Sequence, residues 1–214
     1  MIEAVLFDQD GTLVDSEGPS VDIDIAFLRR FGIPATPELI REFFGVKYDE
    51  WFSIAIDRYK ASISAADMLK AKDAEQETYY GQSFQAMPHA QKVLRELSGN
   101  YKLGLVTGCE QRFVELALTR LEMLSYFTVI VAGDHVSHGK PRPDGFLMGA
   151  QKLGVIPWNV AAVEDSVKGF DAARAAGMHV IGYKTAHNAH QDFSLAHKVI
   201  TDLREIPAYL RNII

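Results

Sequence analysis

From His89 onward the sequence alternates short apolar runs with longer segments whose apolar residues recur every three or four positions. The runs are "YKLGLVT" (101–107), "FTVIVAG" (127–133), "VAAVED" (160–165) and "HVIGY" (179–183). Between them lie "HAQKVLRELSG", "EQRFVELALTRL", "DGFLMGAQKLG" and "VKGFDAARAAG". A short apolar run bounded by turn residues reads as a strand buried on both faces, and the longer segments read as amphipathic helices. Strand and helix in strict turn imply a parallel sheet covered by helices on both faces. "EAVLFD" (3–8) is a further strand of this set, and "KVIT" with a helix near 203–211 closes the pattern.

The stretch from Pro19 to Gly81 breaks the alternation. "SVDIDIAFLRRFG", "PELIREFFG", "YDEWFSIAIDRYK" and "SAADMLKAKDAEQETYY" carry helical spacing without a convincing strand. Pro19, Pro37 and Ser64 read as helix starts, Gly32 and Gly45 as stops. The expected architecture is therefore α/β: a Rossmann-like parallel-sheet core of residues 1–14 and 88–214, interrupted by a small all-helical domain over 15–87. Hinges are expected near 14–20 and 80–88.

A chain of 214 residues can bury roughly 70% of its unfolded surface and needs no disulfide or structural metal to fold. The net charge of -6 and the lack of a basic run argue against nucleic acid as a partner. The single cysteine, Cys109, excludes an intrachain disulfide and suits a reducing compartment. No apolar stretch approaches a membrane span or a signal sequence, so a cytoplasmic protein without a membrane partner is expected.

In open parallel sheets, ligands bind beyond the carboxyl ends of the strands. Strand ends here carry Asp8 and Asp10, Thr107 and Gly108, and Glu164 and Asp165, with Lys140 in the loop after 127–133. Four carboxylates gathered together repel and resist ionising. A divalent cation with Lys140 resolves the conflict, and an all-oxygen donor set favours Mg²⁺ over Zn²⁺. Asp8 is then placed as a nucleophile. Asp10, on a turn that Gly11 permits, is placed as general acid and base. Thr107 Oγ and the Gly108 amide are placed to donate to a phosphoryl oxygen.

"FDQDGTLVDSE", "VTG", "GKPRPD" and "VEDS", in this order at successive strand ends, resemble the haloacid dehalogenase superfamily, in its β-phosphoglucomutase-like and sugar-phosphatase-like branch. The resemblance implies an aspartyl-phosphate at Asp8, with Asp10 as acid/base and, through its carbonyl, a metal ligand. It further implies phosphate-holding Thr107, Gly108 and Lys140, Asp165 as the direct Mg²⁺ ligand in a metal set that includes Asp8, and Glu164 assisting the metal, and it makes the helical block a cap that reads the substrate. Gln9 stands where the family more often has an apolar residue.

The dehalogenase branch lacks the second aspartate, so Asp10 favours phosphoryl transfer. Mutases of the nearest branch carry a histidine and an arginine where Ser20 and Tyr48 stand, which favours a phosphatase of a small phosphorylated metabolite, a sugar phosphate or sugar-acid phosphate. A mutase and a catalytically silent binding protein are the alternatives. Lys47 is the candidate substrate contact on the cap, its other reading being a solvated lysine. His187 and His190 read as solvated loop residues, and Cys109 as a packing residue. A monomer or weak homodimer is expected.

Overall fold

The computed structural model describes residues 1–42, 48–82 and 85–213, without the side chains of 17–20, 41, 49 and 78–82. In chain order the strands are β1 (Ala4–Phe7), β2 (Val14–Asp15), β3 (Gln85–Ala86), β4 (Lys102–Val106), β5 (Val129–Val131), β6 (Val160–Glu164), β7 (His179–Tyr183) and β8 (Lys198–Ile200). The α-helices are α1 (Glu17–Arg30), α2 (Pro37–Glu42), α3 (Tyr48–Tyr59), α4 (Ala65–Gln82), α5 (Ala90–Ser98), α6 (Gln111–Arg120), α7 (Asp144–Leu153), α8 (Val167–Ala175) and α9 (Glu205–Asn212).

Contacts divide the chain into two compact units, Met1–Asp15 with Phe84–Ile214, and Ser16–Ser83. The first contains a six-stranded parallel sheet in the order β5-β4-β1-β6-β7-β8. β1 sits between β4 and β6, with all four residues buried, because "AVLF" has no polar side chain to expose on either face. Alternate strand residues face opposite sides. Ala4 and Leu6 join a core with Phe146 of α7 and Phe170 of α8. Each such fully buried Leu or Phe contributes about 1.5–3 kcal/mol. β2 and β3 form a separate antiparallel pair of two residues each. β3 thus groups with the sheet-bearing unit, although sequence reading places 85–86 in the helical insert.

The helical unit has its own core of Phe27, Leu28, Ile33, Ile40, Trp51, Phe52 and Met68. Helix α1 begins at Glu17, two residues before Pro19. Proline is tolerated there because first-turn amides have no partner within the helix. Ser64 Oγ accepts from the Asp67 amide at 3.1 Å and starts α4. Gly32, at φ 77°, ends α1 in the left-handed region. Gly45 lies outside the described residues. Among the described residues, no helix is long and apolar enough to cross a membrane.

Candidate active site

The parallel ladder continues one residue past β1 and β4. The Asp8 amide donates to Val163 O at 2.9 Å, and the Thr107 amide to Val131 O at 3.0 Å. These bonds lock the backbones of both residues at the carboxyl edge of the sheet, which is why short apolar runs can aim polar side chains accurately. After Asp8 the chain reverses: Leu13 and Val14 amides both donate to Gln9 O, and Gly11 takes φ 75° to close the turn. Asp10 lies on this turn, close enough to disfavour the ionised form of Asp8.

Lys140 is the hub. Its side chain is 15% exposed, and Nζ lies 2.5 Å from Asp8 Oδ1, against Glu164 Oε1, and 3.1 Å from Val106 O. Asp8, Glu164 and Asp165 each place one carboxylate oxygen within 4.8 Å of the others. Burial pushes the Asp8 carboxyl up, to about 8, against the opposing pull of Lys140. Burial alone would lower Lys140, but Asp8 and Glu164 more than reverse this and hold it above its ordinary value. The three acids outnumber the one ammonium, a difference that a divalent cation would offset. The donor set is entirely hard oxygen, which fits Mg²⁺.

The acids differ in how they are held. Glu164 is fully buried, and its Oε2 accepts from the amides of Asp165 and Ser166 and from Ser166 Oγ. Gly169 of α8 makes this possible, since a Cβ there would stand 1.9 Å from the Glu164 carboxyl carbon. Ser166 in turn accepts from the Gly169 amide at 3.1 Å and caps α8. Glu164 therefore braces Lys140 and the β6–α8 turn.

Thr107 is buried, and its Oγ1 accepts from the Cys109 amide at 3.1 Å. Gly108 is exposed. Its carbonyl would be only 2.1 Å from a Cβ on Gly133, whose amide donates to Cys109 O at 2.7 Å. The loops after β4 and β5 are thus in backbone contact. The structure brings Asp8, Asp10, Thr107, Gly108, Lys140, Glu164 and Asp165 to one edge of the sheet. Lys47 lies outside the described residues. His187 and His190 are exposed. Between them sits a residue that sequence reasoning missed: Asn188, fully buried, donates to Asp165 O and Tyr183 O, both at 2.9 Å. A single asparagine in a polar, histidine-bearing loop gives no sequence signal of such a role.

Comparison with known proteins follows the same lines. A phosphorylated carbohydrates phosphatase of Thermotoga maritima is 32% identical over 195 residues, covering 91% of this chain and 90% of that protein. A fructose-1-phosphate phosphatase of Escherichia coli is 29% identical over 177 residues, covering 83% of this chain and 94% of the other. The crystal structure of a CbbY mutant from Rhodobacter sphaeroides in complex with xylulose-(1,5)bisphosphate matches at a TM-score of 0.83 and 26% identity, covering 96% of each chain. The family model for haloacid dehalogenase-like hydrolases matches residues 5–183, and the chain belongs to that family.

Proposed function

We propose that this chain is a Mg²⁺-dependent phosphatase that hydrolyses a small phosphorylated metabolite, a sugar phosphate or sugar-acid phosphate, through an aspartyl-phosphate at Asp8. The observation that carries the reading is the Lys140 ammonium held 2.5 Å from Asp8 within a buried acidic triad. Asp8, Asp165 and the Asp10 carbonyl would hold the cation, with Glu164 behind them. Bound Mg²⁺ supplies positive charge that offsets the acids and screens the approach of a phosphate dianion.

Asp8 Oδ attacks phosphorus as the ester oxygen departs. Asp10 gives its proton to that oxygen. Asp10, now a carboxylate, takes a proton from water, whose oxygen attacks phosphorus and releases phosphate with the Asp8 carboxylate restored. Lys140, Thr107 Oγ and the Gly108 amide hold the equatorial oxygens throughout. The sugar-phosphate names of the similar proteins support the substrate class. We further propose that substrate choice rests with the helical unit and Lys47.

One observation weighs against a mutase. Tyr48 stacks on Trp51 and Phe52 at 5.2 and 5.3 Å between ring centroids, so position 48 carries packed aromatic surface where a mutase needs a guanidinium. The test is phosphate release from p-nitrophenyl phosphate and a panel of sugar phosphates, with Mg²⁺ and with a chelator. Turnover that survives chelation, or survives Asp8→Asn, sinks the reading. Isomerisation of a hexose phosphate without net phosphate release identifies a mutase instead.

A further inference from the structure

We propose that the loop after β7, residues 184–191, is a clasp that presets the Asp165 carboxylate for its cation, with Asn188 as its central positioning residue and Gln191 as its second contact. This rests on the metal-dependent reading of the site given above.

The geometry that carries it lies within the sheet-bearing unit. Asn188 has no exposed surface. Its Oδ1 accepts from the Thr185 amide at 2.7 Å, which folds the loop back on itself. Its Nδ2 donates to the carbonyls of Tyr183, at the end of β7, and Asp165, just past the end of β6, and lies 3.5 Å from Asp165 Oδ2. One amide therefore ties two neighbouring strand ends together at the backbone of a proposed ligand. Three residues on, Gln191 Oε1 accepts from the Val167 amide at 3.0 Å, in the first turn of α8. The Gln191 backbone N–H donates to the Asn188 backbone carbonyl at 2.9 Å, so the two contacts move as one piece. The turn Asp165–Ser166–Val167 is consequently held on both sides by one short loop.

The side chain chemistry is specific. Only an amide at 188 both accepts from Thr185 and donates twice. Aspartate would turn its acceptor oxygens on two carbonyls and sit against Asp165. Fixing the carbonyl of Asp165 fixes the rotation of its backbone, and with it the direction of the carboxylate. Partners of this kind behind a metal ligand are worth about 10–100-fold in affinity or activity.

The test is Mg²⁺ titration of the full chain by calorimetry, with Asn188→Ala, Asn188→Ser, Gln191→Ala and Asp165→Asn beside the wild type. All are measured at a temperature where circular dichroism shows them folded. The expected result is a loss of Mg²⁺ affinity of about 10-fold or more in the Asn188 variants and less in Gln191→Ala. Turnover of p-nitrophenyl phosphate should recover in the Asn188 variants as Mg²⁺ is raised, so the effect falls on the metal dependence rather than on kcat at saturation. Asn188 variants that lose thermal stability yet bind Mg²⁺ as the wild type does make Asn188 a fold residue and overturn the proposal. If neither Asn188 variant folds, Gln191→Ala decides: wild-type affinity overturns it. Wild-type Mg²⁺ binding lost in Asp165→Asn with the clasp variants unaffected leaves the phosphatase reading standing. A wild type that binds no Mg²⁺ overturns both.

Discussion

Each of the two units sets a lysine, largely withdrawn from solvent, between two carboxylates, and the two cases end differently. In the helical unit, Lys72 is 3% exposed and lies 2.7 Å from Asp24 and 3.0 Å from Glu75. Arg30 also reaches Glu75 at 2.9 Å, and the Phe27 ring packs 4.9 Å from the ammonium. Among the described residues two cations meet two anions, so the group is closed in charge. At the sheet edge, Lys140 faces Asp8 and Glu164 with Asp165 and Asp10 close by. There, among the described residues, four acids gather around one ammonium, a group open to an added cation. A buried lysine is thus no mark of a site. The number of acids gathered around it is.

The largest expected effect comes from removing one acid at the open group. Asp8→Asn should abolish turnover by about 10⁴-fold or more, as loss of a nucleophile does. It should also stabilise the metal-free protein by about 1 kcal/mol, because burial and the neighbouring acids already disfavour the Asp8 anion. Urea denaturation in chelator checks the second part. An Asn variant less stable than the wild type breaks the contrast between open and closed groups.

The closed group predicts the opposite pattern. Lys72→Met leaves Asp24 and Glu75 without their shared partner and should cost about 3 kcal/mol in urea denaturation. Burial already raises the Asp24 carboxyl, so Asp24→Asn in the same chain should recover most of the loss. Turnover of folded Lys72→Met should stay within about two-fold of the wild type. A large fall in kcat with little loss of stability would put Lys72 in the reaction and erase the distinction.

The open group was readable in the sequence and the closed one was not. Strand ends announce themselves, since "AVLF", "LGLV" and "VAAV" each run into a polar residue, and a parallel sheet collects such ends along one edge. Asp8 and Lys140 are 132 residues apart, and the shared sheet edge together with the loop after β5 brings them into contact. Lys72 sits on α4, where charged and apolar residues mix around the whole circumference, so no face declares it buried. Asn188 was hidden for another reason: its partners are carbonyls, and any residue supplies those. β2 and β3, with two residues each, are too short for a period to show.

The loop contact at the site gives an intermediate effect and tests whether geometry matters there as well as charge. Gly133→Ala adds a methyl 2.1 Å from the Gly108 carbonyl without altering any charge. The displaced backbone carries the amide assigned to a phosphoryl oxygen, so kcat/KM should fall by about 10-fold. Unchanged kcat/KM would mean that charge alone makes the site.

The smallest effect comes from a group where positive charge is in excess. His179 stacks on His197 at 4.3 Å between ring centroids, with Arg174 against the His197 ring. His179 Nε2 also pairs with the Tyr209 hydroxyl at 2.8 Å, while Lys198, 5.9 Å from the Tyr209 ring, has its own partner in Glu205 at 3.9 Å. Burial, then His197 and Arg174, push His179 down to about 4. This group escapes its excess by giving up a proton instead of adding an ion. The unfolded chain binds that proton near pH 6.5 and the folded chain only near pH 4, so stability is full above 6.5 and falls as pH drops between the two values. With a half-buried ring screened by solvent, the loss should be about 1 kcal/mol. His179→Gln should flatten the stability profile in that window, measured by urea denaturation at pH 7, 5.5 and 4.5. An equally steep profile in the variant would show that the histidine stays charged, and that excess positive charge is tolerated here where excess negative charge at Asp8 is not.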